Sequence, residues 1–170
     1  VECTAVFDVD GVIADVRRRL RKCLSEVNAI SINSIPRNRR ELFWNLFLSD
    51  KYMHLDEPNL EVINYIRKLK SEGYKIVIIT GRRSDTQRRE TLRQLREWGV
   101  PYDEIFFRRR DDRRPDSSLK AGIIKWLLSR GYRIVEVWDD SGSVIEKLKK
   151  ILPPKTKIVH YSKLKQLNSS

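Results

Sequence analysis

Val6-Phe7-Asp8-Val9-Asp10-Gly11-Val12-Ile13-Ala14-Asp15 decides how this chain is read. From Thr4 to Val9 the residues are apolar, β-branched or aromatic over the length of a strand, with an aspartate set among them, and Gly11 supplies the freedom for a sharp turn. Asp8 and Asp10 are two apart, so a strand period of two aims both side chains to one side. They fall where the strand ends, which is where α/β sheets bind ligands. Two carboxylates held together repel, and burial raises the cost of ionising both. A hard cation between them relieves that cost, and oxygen ligands of this kind suit Mg²⁺. Taken alone, the stretch reads equally well as a strand followed by an Asp-Gly turn.

Further along, one pattern occurs three times: an amphipathic helix, a glycine, then an apolar strand. Residues 60–72 carry Val62, Ile63, Ile66 and Leu69, stop at Gly73 and lead into a strand over 75–80. Residues 86–98 stop at Gly99 before a strand over 104–108, and residues 118–130 stop at Gly131 before a strand over 133–138. Glycine just past the last turn is the usual helix stop. Ser84 with Gln87, and Ser143 with Glu146, predict capping boxes. A last helix over 144–151 precedes Pro153-Pro154, a fifth strand is expected over 157–161, and the basic tail to Ser170 is expected to fray.

Strands alternating with helices predict an α/β fold of three layers, Rossmann-like, with a parallel sheet of about five strands and helices on both faces. Residues 1–170 read as a single domain. Residues 16–58 break the alternation, with a helix over 17–28, a polar loop over 30–40 and a short buried helix over 41–49. They read as a helical insertion, a minimal cap over the site.

Composition narrows the class. A hydrophobic share of 40% with four Trp, six Tyr and five Phe excludes a disordered chain. Thirty-five Lys and Arg against 23 Asp and Glu leave a net charge of +12, which favours polyanionic partners such as nucleic acid or an acidic membrane face. No apolar run approaches the roughly 18 residues of a membrane span, and no signal peptide is visible. Cys3 and Cys23 form neither a CxxC pair nor a disulfide framework, so a reducing cytoplasm is expected and both read as small buried apolar residues. The chain opens at Val1, one residue from its first strand, as a trimmed or partial protein would. Trp44, Trp98, Trp126 and Trp138 are expected in the core and not as base-stacking platforms, and His54 and His160 stand isolated.

Each apolar strand runs into polar residues at its C-terminal end: Asp8 and Asp10, then Thr80-Gly81-Arg82, then Asp139-Asp140, with Lys120 in the first turn of the helix between the last two strands. Carboxylates, a hydroxyl and a lysine at neighbouring strand ends describe a metal and phosphate site. These four segments, in this order, resemble the four motifs of the haloacid dehalogenase superfamily. Within 107–120, Arg108, Asp116 and Lys120 match in spacing the segment before the lysine in the 3′-phosphatase domain of polynucleotide kinase-phosphatase. Ser141 departs from that resemblance, since the family usually has Arg after the paired aspartates.

The resemblance implies a haloacid dehalogenase fold and a Mg²⁺-dependent phosphomonoesterase acting on the phosphorylated ends of nucleic acid, the 3′ end favoured. It implies Asp8 as nucleophile, Asp10 as proton carrier, and Thr80 and Lys120 on the phosphoryl oxygens. Gly81, Arg82, Arg108 and Asp116 would contact substrate. Mg²⁺ would take oxygens from Asp8, the Asp10 main chain and one or both of Asp139 and Asp140. A kinase or ligase partner is left open by the sequence, and no membrane is expected. The alternatives are a phosphatase for free nucleotides or another small metabolite, and a nucleic-acid-binding module with an inactive site.

Overall fold

The apolar runs become strands wherever both faces can be buried, and the amphipathic runs become the helices that bury them. In the computed structural model, which describes residues 2–161, the order is β1 (Cys3–Phe7), β2 (Ala14–Asp15), α1 (Arg17–Glu26), α2 (Arg40–Phe47), β3 (Glu57–Pro58), α3 (Leu60–Ser71), β4 (Lys75–Arg83), α4 (Arg88–Glu97), β5 (Glu104–Arg108), α5 (Asp116–Ser129), β6 (Arg133–Asp139), α6 (Gly142–Ile151) and β7 (Lys157–His160). Five strands form a parallel sheet in the order β5-β4-β1-β6-β7. This is the α/β, Rossmann-like architecture expected, with β1 at the centre.

The strand period of two sorts the sheet's residues between two cores. Phe7, Ile76 and Ile78 face Ile63 and Ile66 of α3 and Leu95 of α4. Val6, Val77, Ile79 and Val137 face Ile124 and Leu127 of α5 and Leu148 of α6. A third, smaller core of Cys23, Leu24, Val27, Ile35 and Phe43 lies within the segment between β2 and β3. Those two short strands pair antiparallel, Ala14 opposite Pro58 and Asp15 opposite Glu57, so the segment leaves and re-enters at one point.

Several local expectations change. Helix α2 buries Phe43 but leaves Leu42 50% and Trp44 42% exposed, because the segment has only α1 to pack against it. Trp126 is 46% exposed, under the guanidinium of Arg130, and Trp98 and Trp138 are only partly buried. Neither capping box forms. Gln87 is drawn instead to the Arg83 N–H and the Phe47 carbonyl, and the Ser143 hydroxyl lies inside α6 against that of Ser141. Helix α5 starts at Asp116, so Lys120 sits beyond its first turn. The polar loop over 30–40 contains two single 3₁₀ turns. Cys23 is buried and Cys3 half-buried, both free. The tail lies outside the described residues apart from its start. Among the described residues no helix is long and apolar enough to cross a membrane.

Candidate active site

Three adjacent strands bring the first elements of the site into a row. The Asp8 N–H donates to the Trp138 carbonyl at 3.0 Å, continuing the β1–β6 ladder one step past β1 and setting Asp8 beside Asp139. Thr80, almost fully buried, comes from β4 on the other side. Gly11 has φ +83°, and a Cβ there would stand 2.5 Å from Asp140 Oδ2, so only glycine lets the loop pass this close to that carboxylate. Gly81 does the same for Asp116, whose Oδ1 would lie 2.8 Å from an added Cβ.

Lys120 reaches the row from α5. Its ammonium lies 3.0 Å from Asp8 Oδ1 and 2.6 Å from Asp139 Oδ2, with all three side chains buried. Burial would neutralise the lysine, but the two carboxylates outweigh it and hold the ammonium charged. Asp8 is pushed well above the carboxylate range, by burial first, against the pull of Lys120 and with Asp139 and Asp140 adding repulsion. Burial also lifts Asp140, to about 6. Oxygens of Asp8, Asp139 and Asp140 lie within 4.8 Å of one another. Three carboxylates therefore share one ammonium, and the donor set is all oxygen. That set fits a hard divalent cation, which would offset the remaining negative charge. The Ser141 N–H donates to Asp139 Oδ1 at 3.0 Å and fixes that carboxylate.

The Asp10 carboxylate stands apart from this cluster, in a network that sequence reasoning missed. Its Oδ1 accepts from Arg19 Nη2 at 3.0 Å and from Arg82 Nε at 2.8 Å. The same two guanidiniums flank Asp56, Arg19 Nε at 2.9 Å and Arg82 Nη2 at 3.0 Å, and Gln94 donates to Asp56 at 3.2 Å. Arg19 also donates to the Phe47 carbonyl at 3.0 Å and stacks on the Phe47 ring. Burial pushes the Asp10 carboxyl up, but Arg82 and Arg19 together bring it below its ordinary value. Asp56 is raised by burial despite the same partners. Arg82, expected to touch substrate, is 1% exposed and its guanidinium is fully engaged with Asp10, Asp56, Thr91 and Gln94. It positions Asp10.

Asp8, Asp10 and Asp140 lie in a cleft of about 1080 Å³. Arg83, Arg108, Arg110, Arg113 and Arg114 are among the residues that line it. Arg108 closes its own loop, donating to the carbonyls of Asp112 and Arg114 and pairing with Asp116. Arg110 and Arg113 are exposed and have no ion pair among the described residues.

A family model described as the polynucleotide kinase PNKP phosphatase domain matches residues 37–154, more than half of the chain. The chain belongs to this family. The PNKP-type fold recurs in a chain of the Pnkp1/Rnl/Hen1 complex, at TM-score 0.69 and 19% identity over 94% of this chain and 45% of that one. It recurs at TM-score 0.61 and 14% identity in a class C acid phosphatase from Bacillus anthracis with tungstate bound, over 95% of this chain and 66% of that one. A haloacid dehalogenase superfamily hydrolase from Ehrlichia chaffeensis matches at TM-score 0.53 and 16% identity, over 92% and 84%. At these identities the structures share the fold. This chain spans about half the length of the Pnkp1 complex chains it matches. No curated protein matches in sequence.

The PNKP family match covers Thr80, Arg82, Arg108, Asp116, Lys120, Asp139 and Asp140, and begins after Asp8, Asp10 and Arg19. Those three join it through geometry alone. Arg19 left one trace in the sequence. It lies four residues before Cys23 and three after Val16, on the stripe of α1 that faces inward, where an arginine needs a buried acid partner.

Proposed function

We propose that this PNKP-type phosphatase domain hydrolyses terminal phosphomonoesters of nucleic acid, the 3′ end favoured, with Mg²⁺. Asp8 attacks phosphorus while the bond to the ester oxygen breaks, and the departing oxygen takes a proton from Asp10. A water then attacks the aspartyl-phosphate, Asp10 takes its proton back, and inorganic phosphate leaves with Asp8 restored. Arg19 and Arg82 both bind Asp10 at Oδ1, so Oδ2 keeps its lone pairs for that proton. Asp10 starts ionised. An incoming phosphate dianion beside it raises its proton affinity, so Asp10 takes up a proton from solvent as substrate binds and has it to give when the ester oxygen leaves. Lys120 and the Thr80 hydroxyl hold phosphoryl oxygens as charge builds on them. Mg²⁺ held by Asp8, Asp139, Asp140 and the Asp10 carbonyl would neutralise that charge. Gly81 leaves room for Asp116 at the mouth, and Arg108 keeps the loop of 108–114 in shape. Residues 16–58 serve as the cap.

The observation that carries the nucleic-acid reading is the pair of unpaired, exposed arginines, Arg110 and Arg113, on the wall of the cleft that holds Asp8. A lone phosphate needs only the floor of the site; a chain of phosphates can use the wall. The likeness to a chain of the Pnkp1/Rnl/Hen1 complex supports an end-repair setting with a kinase or ligase partner.

The test compares kcat/KM for 3′-phosphorylated, 5′-phosphorylated and mononucleotide substrates across salt. The 3′-phosphorylated oligonucleotide is expected to lead, with an advantage that falls as salt rises by roughly 0.7 in log-log slope for each single-strand phosphate held. Replacing Arg110 and Arg113 together by Ala should reduce that slope by between one and two. Equal efficiency on mononucleotides and oligonucleotides at low salt would favour the small-molecule reading.

A further inference from the structure

The inserted segment lines the same cleft as the arginine loop, through residues that include Trp44 and Phe47. Trp44 on α2 is 42% exposed and lines the same cleft as Asp8 and Asp140. Its indole is braced edge-on by two phenylalanines, Phe43 at 5.0 Å and 76° and Phe47 at 6.1 Å and 82°. Those two rings stack on each other at 5.8 Å and 10°, and Phe43 is fully buried. The indole is therefore packed against two rings and still borders the cleft. Ile32, 45% exposed, lines the cleft as well.

We infer that Trp44 is a stacking platform for an unpaired base beside the scissile phosphate of a single-stranded end. The inference rests on the nucleic-acid reading above and deepens it. A single-stranded nucleotide has a flat apolar base on one side and an anionic phosphodiester on the other. Proteins that hold such strands combine a cationic track with aromatic rings on which bases stack. Here both features line one cleft, with the reacting carboxylates in the same space. A small phosphorylated metabolite has no use for this combination. A protein partner would want a continuous apolar patch, and Glu41 and Asn45 interrupt the patch around Trp44 along the cleft. A base still paired in a duplex keeps its faces within the stack, so the occupant is a single strand. Every base has a π-face, so the preference is for the presence of a base and depends little on its identity.

The test uses two oligonucleotides bearing a terminal phosphate at low salt, one intact and one abasic at its terminal nucleotide, with phosphate release as the readout. The wild-type protein should favour the intact end by about tenfold in kcat/KM, chiefly through KM, the order expected for one stacked base. Trp44→Ala should bring that ratio close to one, and Trp44→Phe should keep part of it. Because Trp44→Ala could loosen α2, a second measurement follows tryptophan fluorescence of the wild-type and Trp44→Phe proteins during titration with a phosphate-free oligonucleotide. Quenching should occur in the wild type and largely disappear in Trp44→Phe. An intact-to-abasic ratio unchanged by Trp44→Ala, or quenching that persists in Trp44→Phe, would overturn the platform while leaving nucleic-acid end hydrolysis standing. A wild-type protein that hydrolyses p-nitrophenyl phosphate but no oligonucleotide end would overturn both.

Discussion

Arg19 Nη2 lies 3.0 Å from Asp10 Oδ1, and it crosses from the inserted segment to the catalytic loop to do so. The arginine is fully buried, whereas Asp10 keeps 27% of its side chain exposed. A charged group that can exchange protons with the cleft is thus held by a charged group that cannot. Asp56, on the far side of Arg19, completes the arrangement.

Asp56→Asn should destabilise the protein more than it disturbs the sheet. It removes the negative charge between two buried guanidiniums, and breaking a buried pair costs about 3 kcal/mol, or roughly 10 °C in Tm for a domain of this size. Thermal melts of the two proteins check this. Equal melting temperatures would mean that Arg19 and Arg82 are neutralised by Asp10 alone.

Asp8→Asn should abolish turnover and leave the fold intact, since burial disfavours the Asp8 charge and Asn keeps its shape. Asp10→Asn should slow turnover by about 10²- to 10⁴-fold, the usual span for general acid–base catalysis. Rapid quench with labelled substrate should trap phosphate in a base-labile acyl linkage on the wild-type protein, and a Ser- or His-type linkage in its place would dismiss Asp8 as nucleophile.

Removing metal with a chelator should eliminate activity, and Mg²⁺ should restore it. Ca²⁺ should not, because it is larger, takes more ligands and would spread the three carboxylates. Sustained turnover in metal-stripped protein would leave the Asp8, Asp139 and Asp140 group without a role in holding a metal.

Acid should loosen the edge of the sheet through Asp103. Burial raises its carboxyl, but hydrogen bonds from Lys70 Nζ at 2.6 Å and the Ile76 N–H at 2.8 Å bring it below its ordinary value. Its folded pKa is lower than its unfolded one, so its contribution is complete above about pH 4 and is lost as pH falls through the folded value. Asp103→Asn should flatten the drop in Tm below about pH 4, as melts at stepped pH would reveal.

Strand runs and glycine stops made the sheet legible, because alternation and positive-φ positions are local properties. The strand-end residues Asp8, Thr80 and Asp139 were legible for the same reason, since a parallel sheet collects whatever follows its strands. Other features depend on distant partners. Arg19 sits in a basic run beside Arg17, Arg18 and Arg21, and only the fold turns it inward toward Asp10 and Asp56. Arg82, expected to contact substrate, is buried because Asp56 and Gln94 come to meet it. The capping boxes failed because tertiary contacts claimed Gln87 and moved a helix start ahead of Ser143. Trp44 stayed exposed because a segment of two helices has little interior to offer.

The β2–β3 ribbon gives the inserted segment a single narrow neck, with Ala14 and Pro58 side by side. Such a neck usually makes a segment a replaceable cassette, free to vary while the framework stays constant. This cassette contains Arg19 and Asp56 as well as Trp44, so exchanging it would alter the groups that orient Asp10 together with the groups that line the cleft. A change in the cleft's lining and a change in the grip on Asp10 would arrive together.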